Sequence, residues 1–213
     1  RSSAASDVYK RQVAYGKDID YSLIEVTNVG EDSLAKIGDK IIIAKELVED
    51  VMKEISVLSF NSFNTLKGSD FAGTVLAHPL NNNGYEHEVL LLEADFVTTD
   101  QGTGFVHIAP GHGADDFELG RQNNLPIPET VSDNGILNSD LPLLGGLRVL
   151  KDNEIIADIM SEHNALIGRG KLNHSYPHSW RSKAPLVFRT TPQWFISMTT
   201  NNLRDCLLYT SEA

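Results

Sequence analysis

The chain has 213 residues, 41% of them hydrophobic, and a formal net charge of −11. That is enough apolar material for one good-sized core, and no apolar run is long enough to span a bilayer, so neither a membrane protein nor a disordered chain is expected. The acidic balance argues against nucleic-acid binding over the whole surface, and one cysteine, Cys206, rules out an internal disulfide framework or a cysteine-built zinc cage.

The first residues lack the apolar core of a signal peptide, which makes the cytoplasm the expected location. DVYKRQ at residues 7–12, like CLLYTS at 206–211, resembles translated sequencing-adaptor text. Both stretches are set aside from the fold as non-native tails spanning 1–12 and 206–213. Tyr21–Val26 and Lys40–Ala44 read as strands. Lys45–Ile55 follows as a helix, with Leu47, Val48, Val51, Met52 and Ile55 on one face. Phe71–Ala77, Glu88–Glu93 and Phe96–Thr98 are short apolar strands separated by turn-rich pieces such as Asn81-Asn82-Asn83-Gly84.

Residues 102–116, GTGFVHIAPGHGADD, are the most specific text in the chain. Gly102-Thr103-Gly104 is a turn that lets backbone approach a ligand closely. Phe105–Ala109 is a strand with Phe105, His107 and Ala109 on one face and Val106 and Ile108 on the other. Pro110-Gly111 breaks it, and His112–Gln122 reads as a helix with Asp115 and Asp116 in its first turn, where carboxylates suit the positive helix end. A strand-end histidine is thereby brought beside a helix-start aspartate. His112, between Gly111 and Gly113, either shapes the turn or touches a substrate.

Pro126–Gly146 is rich in Pro, Gly, Asn and Asp and reads as a long surface loop, with Asp133-Asn134-Gly135 a tight turn. A second amphipathic helix, Asp152–His163, turns Ile155, Ile156, Ile159 and Met160 inward. After Lys171 aromatics, prolines and basic residues mix with little helical period, as in extended segments leaving a domain. Between Gly168 and Arg204 there are six basic residues (Arg169, Lys171, Arg181, Lys183, Arg189, Arg204) and no acidic one. Any polyanion contact should fall there, unless the segment's charge is balanced by other parts of a larger protein. Trp180 and Trp194 read as packing residues. Together the elements describe an α+β domain with a compact, barrel-like, β-rich sheet and a few surface helices over about Val13–Leu172.

GTGFVHIAPGHGADDF together with HSYPHSWRSKAPLVFRTTPQWF, residues 174–195, resembles the editing insertion of bacterial-type isoleucyl-tRNA synthetase and the segment that returns from it to the synthetic domain. The first motif is shared in looser form by the valyl and leucyl members of class Ia. The resemblance implies an editing domain over 13–172 and a return segment toward a Rossmann-type synthetic domain over 173–205. It implies hydrolysis of valine charged in error onto the isoleucine tRNA, with mischarged tRNA and the remainder of the synthetase chain as partners and no membrane. One methylene in a pocket discriminates by only about 1–3 kcal/mol, a limit for which this synthetase is itself the standard illustration, so a second site that rejects by size is needed.

By the same resemblance His107 crowds the pocket against isoleucine and Asp116 holds the substrate's ammonium group, the two residues of the catalytic site. Backbone around Gly102, Thr103 and Gly104 and around Gly111, His112 and Gly113 orients the terminal adenosine or the developing oxyanion. A positioned water suffices for an activated ester, so no cofactor and no metal is expected for editing, while ATP and Mg²⁺ serve the parent's ligation site. The family's threonine-rich strand (Thr-Thr-Pro-Trp-Thr), expected upstream of Val13, and the HIGH-type and KMSKS-type motifs have no counterpart here. The resemblance therefore implies no isoleucyl-adenylate formation by this chain. Two other readings of the same residues stand beside it: a metal-dependent hydrolase built on His107, His112, Asp115 and Asp116, and a non-catalytic tRNA-docking module built on the basic segment.

Overall fold

The computed structural model describes residues 12–100, 102–170 and 176–211. Residues 7–11 of the adaptor-like stretch, Lys171, His174 and the expected boundary at 172 lie outside the described residues. In chain order the strands are β1 (Gln12–Tyr15), β2 (Asp20–Val29), β3 (Lys40–Ala44), β4 (Val57–Lys67), β5 (Val75–Ala77), β6 (Glu88–Glu93) and β7 (Phe105–Ile108). The helices are α1 (Val48–Glu54), α2 (Ala114–Gln122), α3 (Asn153–Glu162) and α4 (Leu203–Ser211). The fold is α+β, as its sequence implies.

The strands form two sheets, one ordered β5-β6-β1-β7 and one ordered β3-β2-β4. β1 runs parallel to β6 and antiparallel to β7, and the three-stranded sheet is antiparallel throughout. The expected barrel-like sheet is thus not a closed barrel. The sheets meet face to face through side chains, Tyr21, Ile24 and Ile43 from one and Tyr15 and Leu91 from the other, with α1 adding Val51 and Met52. Each fully buried side chain of this size contributes roughly 1.5–3 kcal/mol. A second cluster, with Leu80, Tyr85, Leu137, Leu144 and Ile156, lies under α3. A third, with Ala14, Val97, Ile108 and Leu119, packs α2 on the opposite face of the four-stranded sheet.

Several elements differ from their sequence reading. Only Val75–Ala77 of the expected Phe71–Ala77 strand pairs, because Phe71 closes a 3₁₀ turn, Gly68–Phe71, and is buried there. Phe96–Thr98 is a turn instead of a strand: the Val97 amide donates to the Ala94 carbonyl (3.4 Å) while Val97 is buried as an anchor. β4 has no counterpart in the reading, because its pairing with β2 shifts register three times, and two of the shifts place an extra residue on β4 that breaks the period-two apolar pattern that would announce it.

The region 126–146 is no simple surface loop. Val131 bridges Leu137 across the expected Asp133–Gly135 turn, and Val131, Leu137 and Leu144 are buried. On α3, Ile156 is fully buried but Ile155, expected inward, is 48% exposed, since the buried stripe is centred on Ile156 and Met160, four residues apart on one helix face. Gln12, the last residue of the adaptor-like N-terminal stretch, opens β1, and its side chain accepts the Leu90 amide. Residues 206–211 form most of α4.

Candidate functional site

The turn before β7 is built around a tyrosine. Tyr21 is fully buried, its ring 4.7 Å from Phe105 and 5.1 Å from Phe71. Its hydroxyl accepts the Gly16 amide (3.1 Å) and donates to the Gly104 carbonyl (2.7 Å). Burial pushes the phenol upward, which keeps it protonated and able to donate. The Ala44 amide adds a bond to the Thr103 carbonyl (2.9 Å), so the turn is tied to the three-stranded sheet at two points. Tyr21→Phe removes the partner of two backbone groups and should cost about 1–3 kcal/mol in urea unfolding, against no loss if the hydroxyl is dispensable.

Gly102 and Gly104 both have positive φ, +82° and +78°. They differ in surroundings: a Cβ at Gly104 would stand 2.4 Å from the Ala44 Cβ, whereas one at Gly102 meets nothing within 4 Å. Gly104→Ala therefore combines backbone strain with overpacking and should destabilise by about 2–4 kcal/mol, while Gly102→Ala should cost only about 1 kcal/mol. Chemical denaturation of the two variants measures both, and equal losses would mean that the contact with Ala44 is not the cause.

β7 lies at the edge of its sheet. Its faces alternate as the sequence implies, with Phe105 packed between the sheets and Ile108 buried on the α2 side. His107, opposite Val13 on β1, is exposed. Past the strand end, the Asp116 carboxylate turns back to accept the Ala109 amide through Oδ2 (2.8 Å), and the Ala109 carbonyl accepts the His112 amide (2.8 Å). Ala109 is thus held on both sides, and the aspartate is oriented at the end of the histidine's strand. Asp115, its neighbour in the first turn of α2, is exposed.

Gly113 caps α2 in an extended conformation with the Asp116 carboxylate close by. The His112 ring is engaged within the chain: Nδ1 lies 2.6 Å from the Phe188 carbonyl and Nε2 3.2 Å from the Thr130 hydroxyl. Asp116 and His112 thus turn to different partners, and among the described residues no group of three or more His, Cys, Asp or Glu could hold a metal ion. A cleft of about 480 Å³ lies elsewhere, between α1 and β4, lined by Met52, Lys53, Val57 and Phe60 among others, and no expected site residue borders it. Of the basic residues, Arg169 pairs with Asp158 and Arg189 with Asp133, while Arg181, Lys183 and Arg204 are exposed. Trp180 and Trp194, expected to pack, are 82% and 100% exposed, because nothing among the described residues covers the stretch that carries them. No helix among the described residues is long and apolar enough to cross a membrane.

The family model for the editing domain of leucyl-tRNA synthetase matches residues 35–142, just over half of the chain and including the whole strand-turn-helix unit. The chain belongs to this editing-domain family. Among its relatives, the isoleucine–tRNA ligase of Pelagibacter ubique is 44% identical over 194 residues, covering 91% of this chain and 21% of that protein. The isoleucine–tRNA ligase of Gluconobacter oxydans is also 44% identical, over 199 residues, with 88% and 21% covered. The editing domain and its flanks thus span about a fifth of the length of the curated relatives they match. Among solved structures, the editing-domain fold is similar to GlLeuRS-CP1, with a TM-score of 0.58, 12% identity, and 80% of this chain and 83% of that chain covered. The editing domain of the Plasmodium falciparum cytosolic leucyl-tRNA synthetase gives a TM-score of 0.58 at 10% identity, with 79% and 77% covered. At such identities the likeness is one of fold.

Proposed function

We propose that this editing domain hydrolyses the ester that joins valine, charged in error, to an isoleucine-accepting tRNA. The observation that carries the reading is the Asp116 carboxylate, oriented by the Ala109 amide at the end of the strand that presents His107. Asp116 receives the α-ammonium group of the aminoacyl ester, for which a carboxylate is the natural partner. His107, borne on a strand, is the wall against which a longer side chain collides. Backbone donors around Gly102–Gly104 and Gly111–Gly113, other than the His112 amide that the Ala109 carbonyl already takes, orient the terminal adenosine or the oxyanion.

The nucleophile is a water molecule held near the ester carbonyl. Its oxygen bonds to the carbonyl carbon, the bond to the ribose oxygen breaks, and the proton passes to that leaving oxygen, giving free valine and tRNA. Because the ester is already activated, positioning supplies most of what the reaction needs. ATP and Mg²⁺ belong to the ligation reaction of a whole synthetase, the larger chain in which this domain works. No step of the hydrolysis is routed through them.

The test is release of valine from Val-tRNA(Ile) by the 213-residue chain and by a full-length isoleucine–tRNA ligase carrying this sequence in place of its own editing segment. Hydrolysis above the buffer rate by either supports the reading. Salt-dependent tRNA binding with no hydrolysis in both would replace it with a docking role.

A further inference from the structure

The turn that carries the proposed oxyanion and adenosine donors is not held by its own strand and helix alone. The exit segment of the chain lies against it. Beside the His112 contact to the Phe188 carbonyl, a Cβ at Gly111 would sit 3.6 Å from the Thr190 hydroxyl, and Arg189 pairs with Asp133 in the hairpin that also contains Val131. Thr130, the other partner of the His112 ring, is 7% exposed and begins that hairpin, its carbonyl accepting the Asn138 amide (3.0 Å).

From this arrangement we infer that His112 is a positioning residue, a tie that sets the Pro110–Gly113 turn against both the Thr130 hairpin and the exit segment at Phe188. The proton placement follows from the partners. A carbonyl only accepts, so the ring carries its hydrogen on Nδ1 and donates it to Phe188. The neutral ring then has Nε2 as an acceptor for the Thr130 hydroxyl. With both nitrogens used inside the chain, the imidazole acts on a substrate through the backbone it holds. The tie also joins the turn to residues 187–190, so a displacement of the exit segment is felt at the site.

This inference rests on the proposed hydrolysis for its catalytic readout, and hydrogen exchange supplies a second that does not. Three variants are compared with the parent, in both the 213-residue chain and the full-length ligase carrying it. His112→Ala removes both bonds, His112→Asn keeps a donor near the Nδ1 position, and Thr130→Val removes the hydroxyl alone. A misplaced turn affects the transition state more than tRNA binding, so His112→Ala should lower kcat for Val-tRNA about 10- to 100-fold with KM within about twofold. His112→Asn should recover kcat to within about threefold of the parent, with Thr130→Val between the two.

The amide of His112, bonded to Ala109, should exchange about tenfold faster or more in His112→Ala and return toward the parent rate in His112→Asn. A rise in KM alone in His112→Ala would overturn the inference in favour of direct substrate contact. Equal losses in the Ala and Asn variants, or unchanged exchange in His112→Ala, would overturn it as well. If the parent itself fails to hydrolyse Val-tRNA, it is the proposed function that has failed, and the exchange rates still decide the positioning claim.

Discussion

Asp116→Asn should lower kcat/KM for Val-tRNA hydrolysis by about 10- to 100-fold while leaving the unfolding midpoint unchanged. The substitution separates the two tasks of this side chain. In the structure one carboxylate oxygen accepts the Ala109 amide, and the amide oxygen of asparagine can do the same, so the strand end stays held. What asparagine lacks is the charge. A hydrogen bond to a charged group contributes about 1.5–3 kcal/mol, which corresponds to the stated loss if the α-ammonium is the partner. Asp116→Ala removes both functions and should add a stability loss of about 1 kcal/mol from the uncapped strand end. Steady-state deacylation together with urea unfolding reads the two effects separately. If Asp116→Asn loses stability but not activity, the carboxylate is structural only.

His107→Ala has the opposite signature: it adds an activity. If the imidazole is the wall of a size sieve, its removal should allow Ile-tRNA to be cleaved and reduce the preference for Val-tRNA by at least about tenfold, in line with the 1–3 kcal/mol that separates side chains differing by one methylene. Cleavage of the valine ester should persist, because the wall holds no reacting atom. His107 is exposed on an edge strand, so its truncation should cost no more than about 1 kcal/mol of stability. Deacylation of both esters by parent and variant checks this. Loss of valine-ester cleavage with no gain on the isoleucine ester would make His107 a participant in the chemistry and not a wall.

How much of this could be read in the residues follows from how local each signal is. β7, its alternating faces and the aspartates at the start of α2 depend on neighbours within fifteen positions, and they fall where the spacing places them. α1 is equally local, and all five apolar residues of its expected face are buried. β4 was hidden by bulges that only its partner strand reveals. The burial of Val131, Leu137 and Leu144 was hidden for a similar reason: a Pro- and Gly-rich stretch reads as loop until α3, some twenty residues on, is seen to cover it.

The site divides in the same way. The bond between Asp116 and Ala109 spans seven residues and matches the expectation that the strand end and helix start meet. The bond between His112 and Phe188 spans 76 residues, and no motif announces it. Tyr21 lies 83 residues from the Gly104 it supports, so no local motif marks it, though a buried tyrosine that must find a partner for its hydroxyl is a signal of this kind.

Editing by size requires a preference for the smaller ester. Its most direct test is a side-by-side measurement of the deacylation rates of Val-tRNA(Ile) and Ile-tRNA(Ile) by the full-length ligase that carries this sequence as its editing segment. Valine release should be at least about tenfold faster than isoleucine release. Equal rates for the two esters, or neither above the spontaneous rate, would contradict it.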